Sequence, residues 1–366
     1  MRISAAMIVR DEERHLPDCL ASLRDLVDEI VVVDTGSKDR TPEIARDYGA
    51  RVAHFPWTGD FAVARNESLD HCRGAWILYI DADERVRPAD RAEFQRLLDD
   101  PSVVTYTVLF RPKTGYTRYR EHRIFRNDPR IRFGSVIHET VMPALRTVRA
   151  SDGLRFAPSP IAIDHVGYDG DQSHKHARDL SLLRTRLADN PDHVYSWVHL
   201  GRTLAALGDV EGARGAWRRC IEMVRGRTTY RSLDSLPYVD LLRHLPQDGA
   251  EFTALLEEAL ALFPGEHSLS WIEGRVLMAQ ERFREAIPRF ERLAAIDPDA
   301  FCDEFVSYDN RIFGVQAWES LAVCHFRLGE AEASARYYAR AAEAAPDELA
   351  YRVKRDFMES LARRRR

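Results

Sequence analysis

The chain has 366 residues, 45% hydrophobic and 30% charged, with a formal net charge of −5 at pH 7. That length implies two domains at roughly one per 150 residues, and the acidic balance excludes a dedicated nucleic-acid binder, which carries a strong basic excess. Five scattered cysteines with no C-x-x-C pair read as reduced thiols, and no run nears the roughly 20 apolar residues of a membrane span, so the cytoplasm is the expected compartment.

The opening run Ile3 to Val9 is too short in its apolar part for a signal peptide and reads as a first strand. Glu13 to Leu26 carries Leu16, Leu20, Leu23 and Leu26 at helical spacing. A β-branched strand over Glu29 to Asp34 leads to a short helix over Thr41 to Tyr48, with Thr41 as N-cap and Pro42 at N1. Arg51 to Phe55 reads as strand, Phe61 to Cys72 as helix and Ala75 to Ile80 as strand. Alternation at this spacing predicts an α/β, Rossmann-like and mostly parallel sheet. After a helix over Asp90 to Leu98, the runs Val103 to Arg111, Tyr119 to Phe125 and Ile131 to Phe133 read as antiparallel additions.

Beyond about residue 172 helical periodicity replaces strands, which divides the chain into an α/β domain over 1–171 and an all-α domain over 172–366. Trp197, Leu200, Gly201, Leu204, Ala213, Trp217 and Cys220 fall at the offsets of the tetratricopeptide pattern, whose period is about 34 residues. Gly274, Leu277, Ala286, Phe290 and Pro298 match again, as do Trp318, Leu321, Tyr338, Ala341 and Pro346, and Pro264 precedes Pro298 by one period. Arg225 to Leu260 fits poorly and reads as a degenerate repeat or an insertion. The basic end, Arg363 to Arg366, reads as a solvated helix terminus.

The apolar run Trp76 to Ile80 ends in two carboxylates, Asp81 and Asp83. Residues two apart on a strand share a side, and sheets of this kind bind ligands at the C-terminal ends of their strands. Two hard oxygens there suit Mg²⁺ or Mn²⁺ bridging to phosphates, while a helix cap is the plainer reading of the pair. Asp34 also ends an apolar strand, where it could accept hydrogen bonds from a base or ribose. Gly36 allows a tight turn, which Ser37 or Asp39 could simply cap. Asp60 reads as the N-cap of the next helix. Arg65 and Asn66 lie one turn in, where Arg65 can pair with a phosphate or with Asp81. His138 and Glu139 adjoin a glycine turn and could supply a third metal ligand and a general base; Asp164-His165 is a second such pair.

These stretches, in order, resemble the family 2 glycosyltransferases of the GT-A fold. The matching residues are Met7 to Glu12, Val33 to Ser37 with Asp39 and Thr41, Trp57 with Asp60-Phe61, and Ala64-Arg65-Asn66. Asp81-x-Asp83-Glu84, Arg123-x-Phe125-Arg126-Asn127, His138-Glu139 and His165-x-Gly167-Tyr168 complete the set, which covers residues 1 to about 170. The chain is most similar to the branch of lipopolysaccharide-core transferases and peptide S-glycosyltransferases, whose peptide-modifying members also carry tetratricopeptide-like helices. The Gln-x-x-Arg-Trp motif of processive synthases is missing, which argues against a membrane polymerase.

The resemblance implies an inverting, metal-dependent transfer from a nucleotide sugar, UDP-linked, with Mg²⁺ or Mn²⁺ as cofactor. It places Asp34 at the base with Val9 and Asp11 nearby and Ser37 in the same turn. Arg65 falls by the diphosphate or base, Asp81 and Asp83 on the metal, and His138 as an additional metal or phosphate ligand. A base must take the acceptor's proton; Glu139 is the first candidate and Asp164 the second. Tetratricopeptide arrays form concave surfaces that suit extended peptides, so a Cys, Ser or Thr side chain of a peptide or protein is the favoured acceptor over a glycolipid or polysaccharide. A homodimer through the helical domain is the other expected partner. The competing readings are a non-catalytic repeat scaffold and a sugar nucleotidyltransferase. The latter needs a Gly-rich basic loop after the first strand, and Val9 to Glu13 is not one.

Overall fold

The structure, a computed structural model, describes residues 2–87, 90–167 and 173–364. Tyr168, the domain boundary at 171/172 and the last two arginines therefore lie outside the described residues. The chain divides into two compact units, one of Met1–Thr114 with Arg118–Ala213, the other of Gly115–Thr117 with Arg214–Arg366. All five cysteines are free thiols.

In the first unit the predicted alternation forms as β1 (Ile3–Val9), α1 (Leu16–Leu23), β2 (Glu29–Asp34), α2 (Thr41–Asp47), β3 (Arg51–His54), α3 (Phe61–Asp70) and β4 (Trp76–Tyr79). There follow β5 (Glu84–Val86), α4 (Arg91–Leu98), β6 (Val103–Arg111), β7 (Arg118–Arg126), α5 (Met142–Asp152) and β8 (Arg155–His165). The sheet runs β3-β2-β1-β4-β7-β6-β8-β5. Its first four strands are parallel, β7 is antiparallel to β4 and β6, β8 is parallel to β6, and β5 antiparallel to β8. The expected mixed sheet therefore forms.

Strand alternation splits the core between two faces. Met7, Trp76 and Leu78 join Leu16, Leu20, Leu23, Phe94 and Leu98 of α1 and α4 on one side. Ala6, Ile77 and Tyr79 join Ala62, Leu69, Leu145 and Val148 of α3 and α5 on the other. Each fully buried leucine contributes about 1.5–3 kcal/mol, so α1 is held by its apolar stripe. Its start, three residues later than expected, is set by Pro17 near N1.

Two expectations are corrected. Ile131 to Phe133 is not a strand. Phe133 spends its backbone groups on the Asn66 side chain, donating to Oδ1 (2.8 Å) and accepting from Nδ2 (3.0 Å), so no strand neighbour is needed. Thr41 is not the cap of α2. Its hydroxyl accepts from the Glu12 N–H (2.7 Å), tying the β2–α2 turn to the β1–α1 turn. Asp60 does cap α3, accepting from Val63 N–H (3.1 Å).

Helices α6 (Ser173–Asp189) and α7 (Val194–Ala206) belong to the first compact unit, although the strands end at His165. Over residues 214–364 the elements of the second unit are helices and the two-residue strand Cys302–Asp303. Two of its helices, His267–Ala279 and Phe283–Ala294, illustrate the repeat chemistry. A Cβ at Gly274 would meet the Phe290 ring at 2.7 Å, so only glycine lets the pair close.

Candidate active site

The parallel strands deliver Val9, Asp34 and the residues after Tyr79 to one edge of the sheet. A cleft of about 460 Å³ opens there, and its walls include Val9, Glu12, Arg65, Asp81, Asp83, His138, Glu139 and His165. A hollow of about 510 Å³ beside Leu20 and Tyr48 lies instead at Glu29 and Ile30, where β2 begins.

Asp81 and Asp83 meet for a reason other than strand alternation. β4 ends at Tyr79, and the pair occupies the turn between β4 and β5. The turn is fastened from below by Glu84. Its Oε2 accepts from the Asp81 N–H (2.9 Å), and its carboxylate, buried in the sheet, pairs with Arg123 (2.9 Å). Asp83 faces His165 Nε2 at 3.2 Å. Burial raises the Asp83 carboxyl, but the His165 hydrogen bond and charge outweigh it and hold the acid below its ordinary range. His165 feels burial in the opposite sense, and Asp83 overrides it to raise the imidazole.

Arg65 joins the two halves of the cleft. Its Nη2 donates to both oxygens of Asp81 (2.8 and 3.1 Å), and its Nε donates to Glu139 Oε1. The guanidinium is buried over the Tyr79 and Phe133 rings, at 5.3 and 5.7 Å. Burial opposes the charge, but Asp81 and Glu139 more than offset it and keep Arg65 protonated. One cation therefore orients a carboxylate on each side.

His138 lines the same cleft with a left-handed backbone (φ 51°), and Ser135 shares that strain (φ 89°). Its ring packs on His199 at 4.2 Å and Tyr195 at 5.2 Å, both from α7. Burial, then the nearby Arg186, pushes its pKa down to about 4, so the imidazole is neutral. Residues given no site role from the sequence also line the wall: Glu12, Trp57, Phe61, Lys175, Arg178 and Asp179. Arg178 lies 5.0 Å over Phe61, and Phe61 meets Trp57 edge-on at 4.7 Å. The Glu12 carboxyl is pushed up to about 7 by burial and by the Asp83 charge.

Four predicted site residues make other contacts. Asp34 is buried, accepts from the Ser37 N–H (3.1 Å) and faces His54 Nδ1 (3.1 Å); its neighbour Thr35 reaches the cleft. Asp11 and Ser37 bind each other's loops, with Lys38 N–H donating to Asp11 (2.6 Å) and Asp11 N–H to Ser37 Oγ (2.9 Å). Asp164 does not line the cleft. It pairs with Arg87, with Arg118 at 3.4 Å and with Arg111 at 3.8 Å.

The donor set suits a divalent cation of the Mg²⁺ or Mn²⁺ type. Among the described residues no three His, Cys, Asp or Glu side chains converge into a closed ligand set, and His138 is not grouped with the two aspartates. Asp81 and Asp83 would supply two hard oxygens, with phosphate and water completing the shell, as is usual for Mg²⁺. The raised Glu12 carboxyl marks negative charge that such a cation would relieve.

Residues 4–151 match the model of glycosyl transferase family 2, and residues 253–301 and 313–348 match the tetratricopeptide repeat. A TPR repeat-containing protein of Synechococcus elongatus is 40% identical over 222 residues, covering 58% of this chain and 55% of that one. The SPbeta prophage-derived glycosyltransferase SunS of Bacillus subtilis is 26% identical over 220 residues, covering 58% and 51%. The lipopolysaccharide core biosynthesis glycosyltransferase LpsC of Rhizobium meliloti is 32% identical over 177 residues, covering 44% and 65%. The chain spans about half the length of the first two of these relatives. No helix among the described residues is long and apolar enough to cross a membrane.

Proposed function

Since the chain carries a glycosyltransferase family 2 domain of the GT-A type, followed by tetratricopeptide repeats, we propose that it moves a sugar from a UDP-sugar to a peptide or protein side chain, with inversion at the anomeric carbon. The observation that carries this reading is the convergence of Asp81, Asp83, Arg65 and Glu139 on one cleft at the sheet edge. Asp81 and Asp83 would hold Mg²⁺ or Mn²⁺, which offsets the charge of the departing nucleoside diphosphate.

The chain's own residues do the rest. Arg65 orients Glu139 by donating to its Oε1, and Oε2 would take the acceptor's proton. As the hydroxyl or thiol gives up that proton, its lone pair forms the bond to the anomeric carbon. The C–O bond to the diphosphate breaks, and its electrons leave with UDP. Trp57, Phe61 and the neutral His138 exclude water from one wall. The helical repeats bind the acceptor, and a homodimer through them is the second role we assign. The free cysteines fit the cytoplasm. A lipopolysaccharide-type acceptor is the second reading, favoured by the 32% identity to LpsC.

The test is mass spectrometry of peptide and lipopolysaccharide-core acceptors after incubation with mixed nucleotide sugars, with Mn²⁺ or with chelator. Asp83→Asn is expected to lower transfer by about 10²–10³-fold, the cost of removing one charge-stabilising group, with the fold intact. Full turnover by Asp83→Asn would remove the cation seat. Silence across the donor panel, with no nucleotide-induced stabilisation, would make the sheet a non-catalytic scaffold.

A further inference from the structure

The charges lining the cleft are almost all spoken for. Arg65 is shared by Asp81 and Glu139, Asp83 faces His165, and Arg178 pairs with Asp179 at 2.8 Å while lying over Phe61. Arg10 sits half exposed beside Asp11. Among the described residues two charged groups are left without such a partner. One is Glu12, whose backbone N–H but not its carboxylate is held. The other is Lys175, in the first turn of α6, which lines the cleft with an exposed side chain and no ion pair among the described residues.

The Lys175 charge is felt at Glu12, at Asp83 and at His15, so it reaches the ends of both β1 and β4. Two explanations compete. Lys175 could serve only to balance Glu12 and Asp83. Against this, Asp83 already has His165, and Lys175 forms no ion pair with Glu12 or Asp83 among the described residues. A flexible ammonium left unpaired beside a carboxylate turn is better suited to a polyanion that arrives from solution.

We propose that Lys175 binds the diphosphate of the nucleotide donor and stabilises it as the leaving group. This rests on the nucleotide-sugar reading above. When the bond from the anomeric carbon to the β-phosphate oxygen breaks, the electron pair stays on that oxygen, and the ammonium offsets the added charge without giving up a proton. A helix that sequence periodicity assigns to the repeat domain thereby becomes part of the donor site.

Affinities of the full chain for uridine and UDP, measured by calorimetry with Mn²⁺, test this. Lys175→Met is expected to weaken UDP by about 10- to 100-fold, the range for a lost charge-assisted hydrogen bond, and to leave uridine within about twofold. Lys175→Arg should restore most of the loss. The effect should persist in a Glu12→Gln background, where a lysine kept only to balance Glu12 would have lost its partner. An unchanged UDP affinity in Lys175→Met, an equal loss for uridine, or disappearance of the effect with Glu12→Gln would each overturn the proposal. Failure of the unmutated chain to bind UDP, GDP, ADP or dTDP would instead remove the nucleotide-sugar reading, and this proposal with it.

Discussion

Gly167 shows how narrow the tolerances around the carboxylate turn are. A Cβ there would fall on the Asp83 carboxylate, and the adjacent Val166 N–H donates to the Asp83 carbonyl (2.8 Å). Gly167→Ala should therefore displace Asp83 while costing about 1–3 kcal/mol of stability, the range for overpacking. UDP affinity with Mn²⁺ is expected to fall at least about tenfold, a change of 1.4 kcal/mol, with a cooperative urea transition retained. Unchanged affinity would show that Asp83 can move without consequence. The same residues mark what a one-dimensional reading can see. Asp81, Asp83, Arg65 and Glu139 were legible because each lies near an apolar strand end, a helix cap or a glycine turn. Asp164 and His165 looked equivalent, yet the pleat of β8 sends one to the arginines and the other to the cleft. Glu12 and Lys175 received no role because a charged residue in a loop or first helical turn ordinarily belongs to solvent.

Among the elements, α3 and the segment after Ile131 work as one piece. Asn66 supplies both a donor and an acceptor to Phe133, and Phe61 N–H donates to the Val136 carbonyl (3.0 Å). This fixes the strained loop that carries His138 and Glu139 against the helix that carries Arg65. Asn66→Ala would leave both Phe133 backbone groups without their partner, at about 1–3 kcal/mol each in a buried setting. We expect a loss of about 2–4 kcal/mol in urea unfolding and faster exchange of the Phe133 amide. Asn66→Asp keeps the acceptor and should recover that protection in part. Equal exchange in all three proteins would show that the loop holds itself. The Asp60 cap located the start of α3 in the sequence. The sequence could not show that a side chain replaces a strand partner at Phe133, because that depends on residues far apart in the chain.

For the whole molecule, the division into two compact units makes a thermodynamic statement. Each unit has its own core: Met7, Leu20, Trp76 and Phe94 in the first, and Phe290, Phe313, Leu321 and Cys324 in the second. Every residue of the donor cleft belongs to the first. Chains built this way commonly depart from two-state unfolding, so calorimetry should resolve two transitions that respond to different perturbations. UDP with Mn²⁺ at about 100 times its dissociation constant adds about 2.7 kcal/mol to whatever binds it, and that gain should appear in one transition alone. Phe290→Ala removes a fully buried ring packed on Gly274 and Trp271. It should cost about 3–5 kcal/mol and lower the other transition, leaving the UDP-sensitive one in place. If both perturbations moved a single transition together, the two cores would be one cooperative system, and acceptor recognition by the repeats could not be separated from donor binding.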